Sequence, residues 1–482
     1  METLQRTANR GSISTGYDID NSLKFEADNT EIIYRTNDSG TNRKTFTVSA
    51  WFKRTELGVD QQVWHGGTYG EATRIGISSY QVADDSLWID VGGGTGNAGT
   101  LYRSFSTLKI RDTSAWYHVC VAVDTTQATE ANRMKVWLNG EEVTDWAQHQ
   151  IPAQDFQCAL ESVTAMAWGG YRPSNLVLFS GYLAECHYLD GVAKVQTDFG
   201  EYDEDSGIWK PKAYAGSYGG NGCYLNFDDS ASLGADSSGN SNNFTLNNIT
   251  SADQATDTPT NNFAVMNVLN GTNSDITTSQ GGTKVSNSGS SICSMNATMG
   301  VSNGKWYWEC RFANDPGNTN TVFVGIAAAN DPYVPHNSNN YLGQQSGYGS
   351  IGWYFVNGAV YNGTGTWTGP GYGNIIMFAL DMDNLKLYFG KEGTWQNSSN
   401  PVTNTNGIDI ATSFASLSGG TDIILPAISV AGGDNMDSMN FGGFANYTQS
   451  SPASDENGYG TFEYAPPSGY YALCTKNLAE YG

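Results

Sequence analysis

Two sets of alternating carboxylates are the first residues in this chain whose type and spacing suit chemistry. Asp381 and Asp383 lie two apart, as do Glu201, Asp203 and Asp205, and residues two apart on a strand share a face. A retaining glycosidase needs its carboxyl pair about 5–5.5 Å apart, which that spacing supplies. Their surroundings argue otherwise. Asp381 and Asp383 fall where the alternation of IIMFALDMDNLKLYFG breaks for a turn, and the other set sits in FGEYDEDSGIWKP, which has no strand pattern. Both therefore read as turn and surface acids. His65, His118, His149, His187 and His336 are isolated, and no GxSxG, HExxH or phosphate-loop spacing occurs, so nucleophilic or zinc chemistry lacks its usual groupings. The chain is read as a non-enzyme.

Binding residues are the remaining chemistry. Asp228, Asp229 and Asp236 frame the polar loop NFDDS…DSSGN, and hard oxygen donors of this kind suit calcium. The DxDxDG spacing is absent, and Asp and Ser are equally ordinary turn residues. Aromatics unclaimed by any strand pattern are the other signal. Tyr348, Trp353, Tyr361, Trp367 and Tyr372 lie among glycines in YGSIGWYFVNGAVYNGTGTWTGPGYG. Rings presented from glycine-rich turns can stack on sugars or on a partner's apolar groups. Trp353 reads as a core residue, and Trp367, in GTGTWTGPG, as the exposed ring of the set.

Strands must position these residues. In TFTVSAWFKR, Phe46, Val48, Ala50 and Phe52 face one way, and Thr45, Thr47, Ser49 and Lys53 the other. RMKVWLNGEEV alternates into Asn139-Gly140, a strong hairpin signal because both turn positions need positive φ. GKWYWECRF puts Trp306, Trp308, Cys310 and Phe312 on one face and Tyr307, Glu309 and Arg311 on the other, which predicts a core strand with a wetter back. The chain is expected to be all-β, two antiparallel sandwiches of jelly-roll type with very little helix. The expected layout is an N-terminal arm (1–19), a first sandwich (20–195), a linker (196–222) and a second sandwich (223–482).

Composition bounds the partners. The 482 residues carry a formal net charge of −24, which repels nucleic-acid phosphates. No apolar run is long enough to span a bilayer, and METLQRTANR has no signal-like apolar core. The seven cysteines form no CxxC pair and read as buried thiols kept reduced.

WYHVCVAVD, KVWLNGEEV and GYLAECHYLDG, in that order, resemble the laminin-G-like/pentraxin jelly roll of the concanavalin A-like class, over roughly 23–190. GKWYWECRF, VFVGIA, IGWYFVNG, FALDMDNLKLYF and MNFG resemble a SPRY domain, over roughly 300–445. YLNFDDS and DSSGNSNNFTL resemble the opening strand pair of another laminin-G-like unit. The whole arrangement, ending in FEYAPPSGYYALCTKNLAEYG, resembles marine bacteriophage virion proteins that combine both modules. That resemblance implies a recognition protein without chemistry. It would be a tail fibre, tail-tip or capsid-surface appendage, assembled in the bacterial cytoplasm and anchored by its arm as a homo-oligomer, with a trimer favoured. Its partners would be other virion proteins and a host-surface glycan or protein. A decoration protein that only cements neighbouring subunits is the alternative.

Overall fold

The computed structural model describes residues 16–36, 42–67, 72–79, 84–94, 96–160, 165–171, 176–204, 206–271, 274–312, 322–334, 339–364, 367–416, 423–431 and 435–482. Most of the expected arm (1–15), His336 and Asp205 lie outside them. The chain divides after Thr260 into two units. Both are β structures, and the described α-helices are two short ones, Ile410–Ser413 and Thr475–Tyr481.

In the first unit two antiparallel sheets share one core. One runs, in spatial order, Glu141–Glu142, Met134–Leu138, Tyr117–Asp124, Thr45–Arg54, Gly181–Asp190, Ser22–Phe25 and Gln254–Ala255. The other runs Trp146–Gln148, Leu101–Lys109, Ser86–Gly92, Thr73–Ser78, Gln61–Gly67, Ala165–Trp168, Ile32–Thr36 and Thr245–Asn247. Phe46, Val48, Ala50 and Phe52 enter the core on the parity expected, opposed by Val63, Ile75, Ile89 and Val91. Each large apolar side chain buried this way contributes about 1.5–3 kcal/mol.

The boundary differs from the expected one. Residues 223–260 belong to the first sandwich, not the second. Cys223–Leu225 pairs with Gly181–Asp190, Thr245–Asn247 with Ile32–Thr36, and Gln254–Ala255 with Ser22–Phe25. The same segment supplies counter-charges. Lys53, fully buried, meets Asp257 at 2.7 Å, and Lys24 meets Asp253 at 2.7 Å and Glu31 at 2.9 Å. The expected linker is structured too. Gly200–Tyr202 and Trp209–Pro211 form a hairpin, and the Trp209 indole donates to His118 Nδ1 at 3.1 Å. Of the expected arm, Tyr17 and Ile19 are fixed in this unit: Tyr17 donates to Glu185, and Ile19 exchanges hydrogen bonds with Thr260.

The second unit packs a six-stranded sheet on a seven-stranded one. The first is ordered Met266–Gly271, Cys293–Ala297, Ile424–Val430, Val322–Ala328, Ser350–Tyr354, Val360–Tyr361. The second has Thr394–Trp395, Lys386–Lys391, Ile375–Asp381, Lys305–Arg311 and Ser438–Asn440 along its path, with Tyr471–Ala472 running parallel to Lys305–Arg311. Trp306, Trp308 and Cys310 fill the core as expected. The back of that strand is not wet. Phe263, Phe462 and Tyr470 cover Tyr307, and the Glu309 carboxylate is sealed beneath them. All seven cysteines are buried free thiols; burial pushes Cys158, Cys223 and Cys474 up to about 12.

Candidate functional site

The glycine-rich run 347–373 splits its aromatics between two faces of the six-stranded sheet, and the parity of the strands decides which goes where. Trp353 alternates with Ile351 and points inward, where it stacks on Phe389 at 5.0 Å. Trp367 follows it. It is 7% exposed, stands edge-on to Trp353 and Phe389 at 6.2 and 5.6 Å, and donates its indole N–H to the Thr364 carbonyl. The exposed ring expected at Trp367 is thus a core ring, because it packs on Trp353 and Phe389 inside the sandwich. Tyr372 is half-buried on the same core beside Phe355.

Tyr361 and Tyr348 go to the outer face, and there the structure gathers more than the sequence reading found. Phe323 points outward between Val322 and Val324, whose side chains are in the core. Its register partner is Tyr354. Tyr354 and Tyr341 stack on the Phe323 ring at 4.7 and 4.4 Å, nearly parallel to it. Tyr361 stands perpendicular to all three, at 5.3 Å from Phe323, 5.6 Å from Tyr341 and 6.1 Å from Tyr354. Tyr333 meets Tyr348 edge-on at 5.6 Å, and Tyr348 is 37% exposed. These tyrosines are partly exposed rings packed against one another or against Phe323, and none of their hydroxyls is bonded to another described residue. Ring faces with unspent hydroxyls can both stack and hydrogen-bond. Phe323 and Tyr354 were legible as the off-core parity of VFVGIAAA and SIGWYF; Tyr341 was not, since it comes from a loop without period.

The expected metal residues are spread over one polar loop. Asp236 accepts from the Tyr224, Ser238 and Asn242 amides and from the Ser238 hydroxyl. Asp229 caps the turn at Ala231. Asp228 is bonded by Asn226, and its pKa is raised by burial and by the charges of Asp20 and Glu185. Among the described residues no three His, Cys, Asp or Glu side chains gather closely enough to hold a metal ion.

Glu185, absent from the sequence reading, is the most unusual acid in the first unit. It sits at a bulge in the Gly181–Asp190 strand with φ +49°, a conformation costly for a residue with a Cβ. Tyr17 and Tyr224 donate to its two oxygens at 2.9 and 2.6 Å, and His187 Nε2 lies 3.6 Å away. The His187 ring stacks on Tyr224 at 4.4 Å. At 4% exposed, the carboxylate is closed off, and the cluster locks the Cys223–Leu225 strand and Tyr17 onto the sheet.

Of the alternating acids expected at turns and on the surface, Asp383 is an exposed turn residue, whereas Asp381 ends the Ile375–Asp381 strand fully buried and Asp203 is buried too. Asp381 is paired to Lys305 at 3.1 Å and bonded by Asn384, and Asp383 accepts from the Gly304 amide. Asp203 is held down to about 2 by the amide and hydroxyl of Ser206 and by Lys210, which also lies 3.8 Å from Glu201.

One open cleft adjoins the seven-stranded sheet of the second unit. Its volume is about 350 Å³, and Arg311, Glu392, Tyr447, Thr448, Glu463 and Tyr464 are among the residues that line it.

The concanavalin A-like lectin/glucanases superfamily matches residues 26–192. No curated protein sequence matches the chain. Among solved structures, the SPRY domain of human HERC1 aligns at 16% identity and TM-score 0.27, covering 36% of this chain and 96% of that one. The heptameric SAP-like pentraxin of Limulus polyphemus aligns at 16% identity and TM-score 0.27, over 37% and 80%. Domains LG4-5 of the mouse laminin α1 chain align at 11% identity and TM-score 0.29, over 86% and 84%. The matched span lies within the first unit, whose two antiparallel sheets have a concanavalin A-like fold, and the described residues of the chain are nearly all-β.

Proposed function

We propose that this chain is a recognition protein of a bacteriophage particle, binding a host-surface glycan or protein through the tyrosine-lined outer face of its second unit. The observation that carries the reading is the set Tyr341, Tyr354 and Tyr361 around Phe323, packed ring on ring yet partly exposed, with hydroxyls bonded to no other described residue. Rigid tyrosines bring large contact area at low entropy cost. The lectin-class match over 26–192 supports a binding role for the first unit as well. Attachment to the particle rests on the sequence resemblance to virion proteins, and with it go the N-terminal anchor and a homotrimer, whose multivalency would multiply weak single-site binding. The alternative, a purely cementing protein, calls for a continuous apolar patch at its subunit contacts.

The test has two arms. Antibody raised against the chain should label purified particles on an external appendage in electron micrographs. Particles carrying Tyr341→Ala with Tyr361→Ala should assemble normally and adsorb to host cells at least tenfold more slowly, as loss of aromatic hot spots implies. Unlabelled particles would remove the virion assignment. Normal adsorption by the double variant would remove the tyrosine face from recognition.

A further inference from the structure

The cleft beside Arg311 is chemically distinct from the tyrosine face, and its walls are built before any ligand arrives. Glu392 is fixed by the Ile375 amide at 2.5 Å on one oxygen and the Tyr464 hydroxyl at 2.9 Å on the other. Glu463 is fixed by the amide of Ser450 at 2.7 Å and by its hydroxyl. Tyr447 is anchored through Glu309 at 2.8 Å. Each carboxylate oxygen thus has one donor and keeps a second lone pair. Arg311 is the exception. It ends the Lys305–Arg311 strand, is half-buried, and its guanidinium makes no hydrogen bond or ion pair with any described residue, although two carboxylates line the same cleft.

We infer that this cleft is a binding subsite for a neutral sugar residue bearing adjacent hydroxyls. Volume is the first reason: about 350 Å³ falls in the range of small-ligand sites, about 300–1,000 Å³. Charge is the second. An anionic ligand would gain Arg311 but face Glu392 and Glu463 within a chain of net charge −24. A cationic one would face the Arg311 guanidinium. A pair of neighbouring hydroxyls meets both signs at once, accepting from Arg311 and donating to the free lone pairs of the fixed carboxylates. The ring of Tyr464 supplies an apolar wall. Fixing the walls beforehand cuts the ordering cost of binding.

The experiment uses the full chain on a printed array of neutral and anionic glycans, followed by titration of the best binder. Neutral glycans should be retained by the wild type, and Arg311→Met should lower affinity for them at least tenfold. Its melting temperature should be unchanged, because Arg311 has no described partner to lose. Val402→Ser, at an exposed residue of the same unit outside the cleft lining, should leave this affinity within twofold, which ties the loss to the cleft. If Arg311→Met melts several degrees lower, Thr448→Val at the rim takes its place, with at least a threefold loss expected. No neutral glycan retained, retention of anionic glycans alone, or unchanged affinity in the variants would each overturn the inference.

Discussion

Trp209 can only donate through its indole nitrogen, so the 3.1 Å contact makes His118 Nδ1 an acceptor. The proton must then sit on Nε2, which reaches the Ser49 hydroxyl at 2.8 Å. His118 is therefore held neutral, and burial depresses its pKa to about 3. His65, buried and bonded to the Gly67 carbonyl at 3.0 Å, is lowered to about 3 as well. In the unfolded chain both titrate near about 6.5. Between those values the unfolded state binds more protons, so stability is fully present above about pH 6.5 and falls as the pH drops toward 3. From pH 6.5 to 5.5 the two together cost about 2 kcal/mol. Denaturant titrations across that interval should show the loss, and His118→Gln, whose amide can accept from Trp209 and donate to Ser49, should remove about half of it. An unaltered slope in that variant would mean the ring is not what couples folding of the first unit to pH.

At the scale of the strand, Lys305–Arg311 shows what alternation reveals and what it conceals. Trp306, Trp308 and Cys310 were legible as core from period alone, and the structure keeps them there. The opposite parity was equally legible as a face, yet its burial was not, because residues far along the chain cover it. Phe462 packs edge-on against Tyr307 at 5.0 Å, and the Glu463 and Tyr464 amides donate to Glu309, both at 2.9 Å. With the Tyr307 and Tyr447 hydroxyls, each at 2.8 Å, four donors converge on one carboxylate. Burial pushes its pKa up, and those donors pull the other way. Trp367 was misplaced for a related reason: glycine-rich text forecasts a turn but not which side of the sheet the turn closes over. Glu309→Ala should cost on the order of 3 kcal/mol, since it strands four buried donors. Glu309→Gln should cost less but still measurably, because its amide nitrogen must face at least one of them. Urea midpoints for the second unit's transition would check both. A loss below about 1 kcal/mol in the alanine variant would show that the 444–474 segment stays docked without the carboxylate.

For the molecule as a whole, the question is where one cooperative unit ends. Composition placed the joint at the acidic stretch ending in Pro211, whereas the first core closes only after Ala255. The strands that close it, Cys223–Leu225, Thr245–Asn247 and Gln254–Ala255, are two or three residues long, too short for a period to show, and the last two pair with strands near the chain's start. The charges carry the stronger constraint. Lys24 and Lys53 are almost completely buried, and Asp253 and Asp257 are held against them. Removing one partner of a buried pair costs about 3–5 kcal/mol, a large share of a domain's whole stability of about 5–15 kcal/mol. A fragment cut at 222 loses both aspartates, three strands, and the Tyr224 hydroxyl that holds the strained Glu185. It should not fold cooperatively. A fragment running from 11 to 260 should melt in a single transition matching one of two seen in the full chain, and 261–482 should reproduce the other, because the apolar cores of the two units share no residue. Scanning calorimetry of the three fragments and the full chain decides it. Cooperative melting by the fragment ending at 222 would return the boundary to the acidic stretch, and the Lys24 and Lys53 pairs would then be incidental to folding.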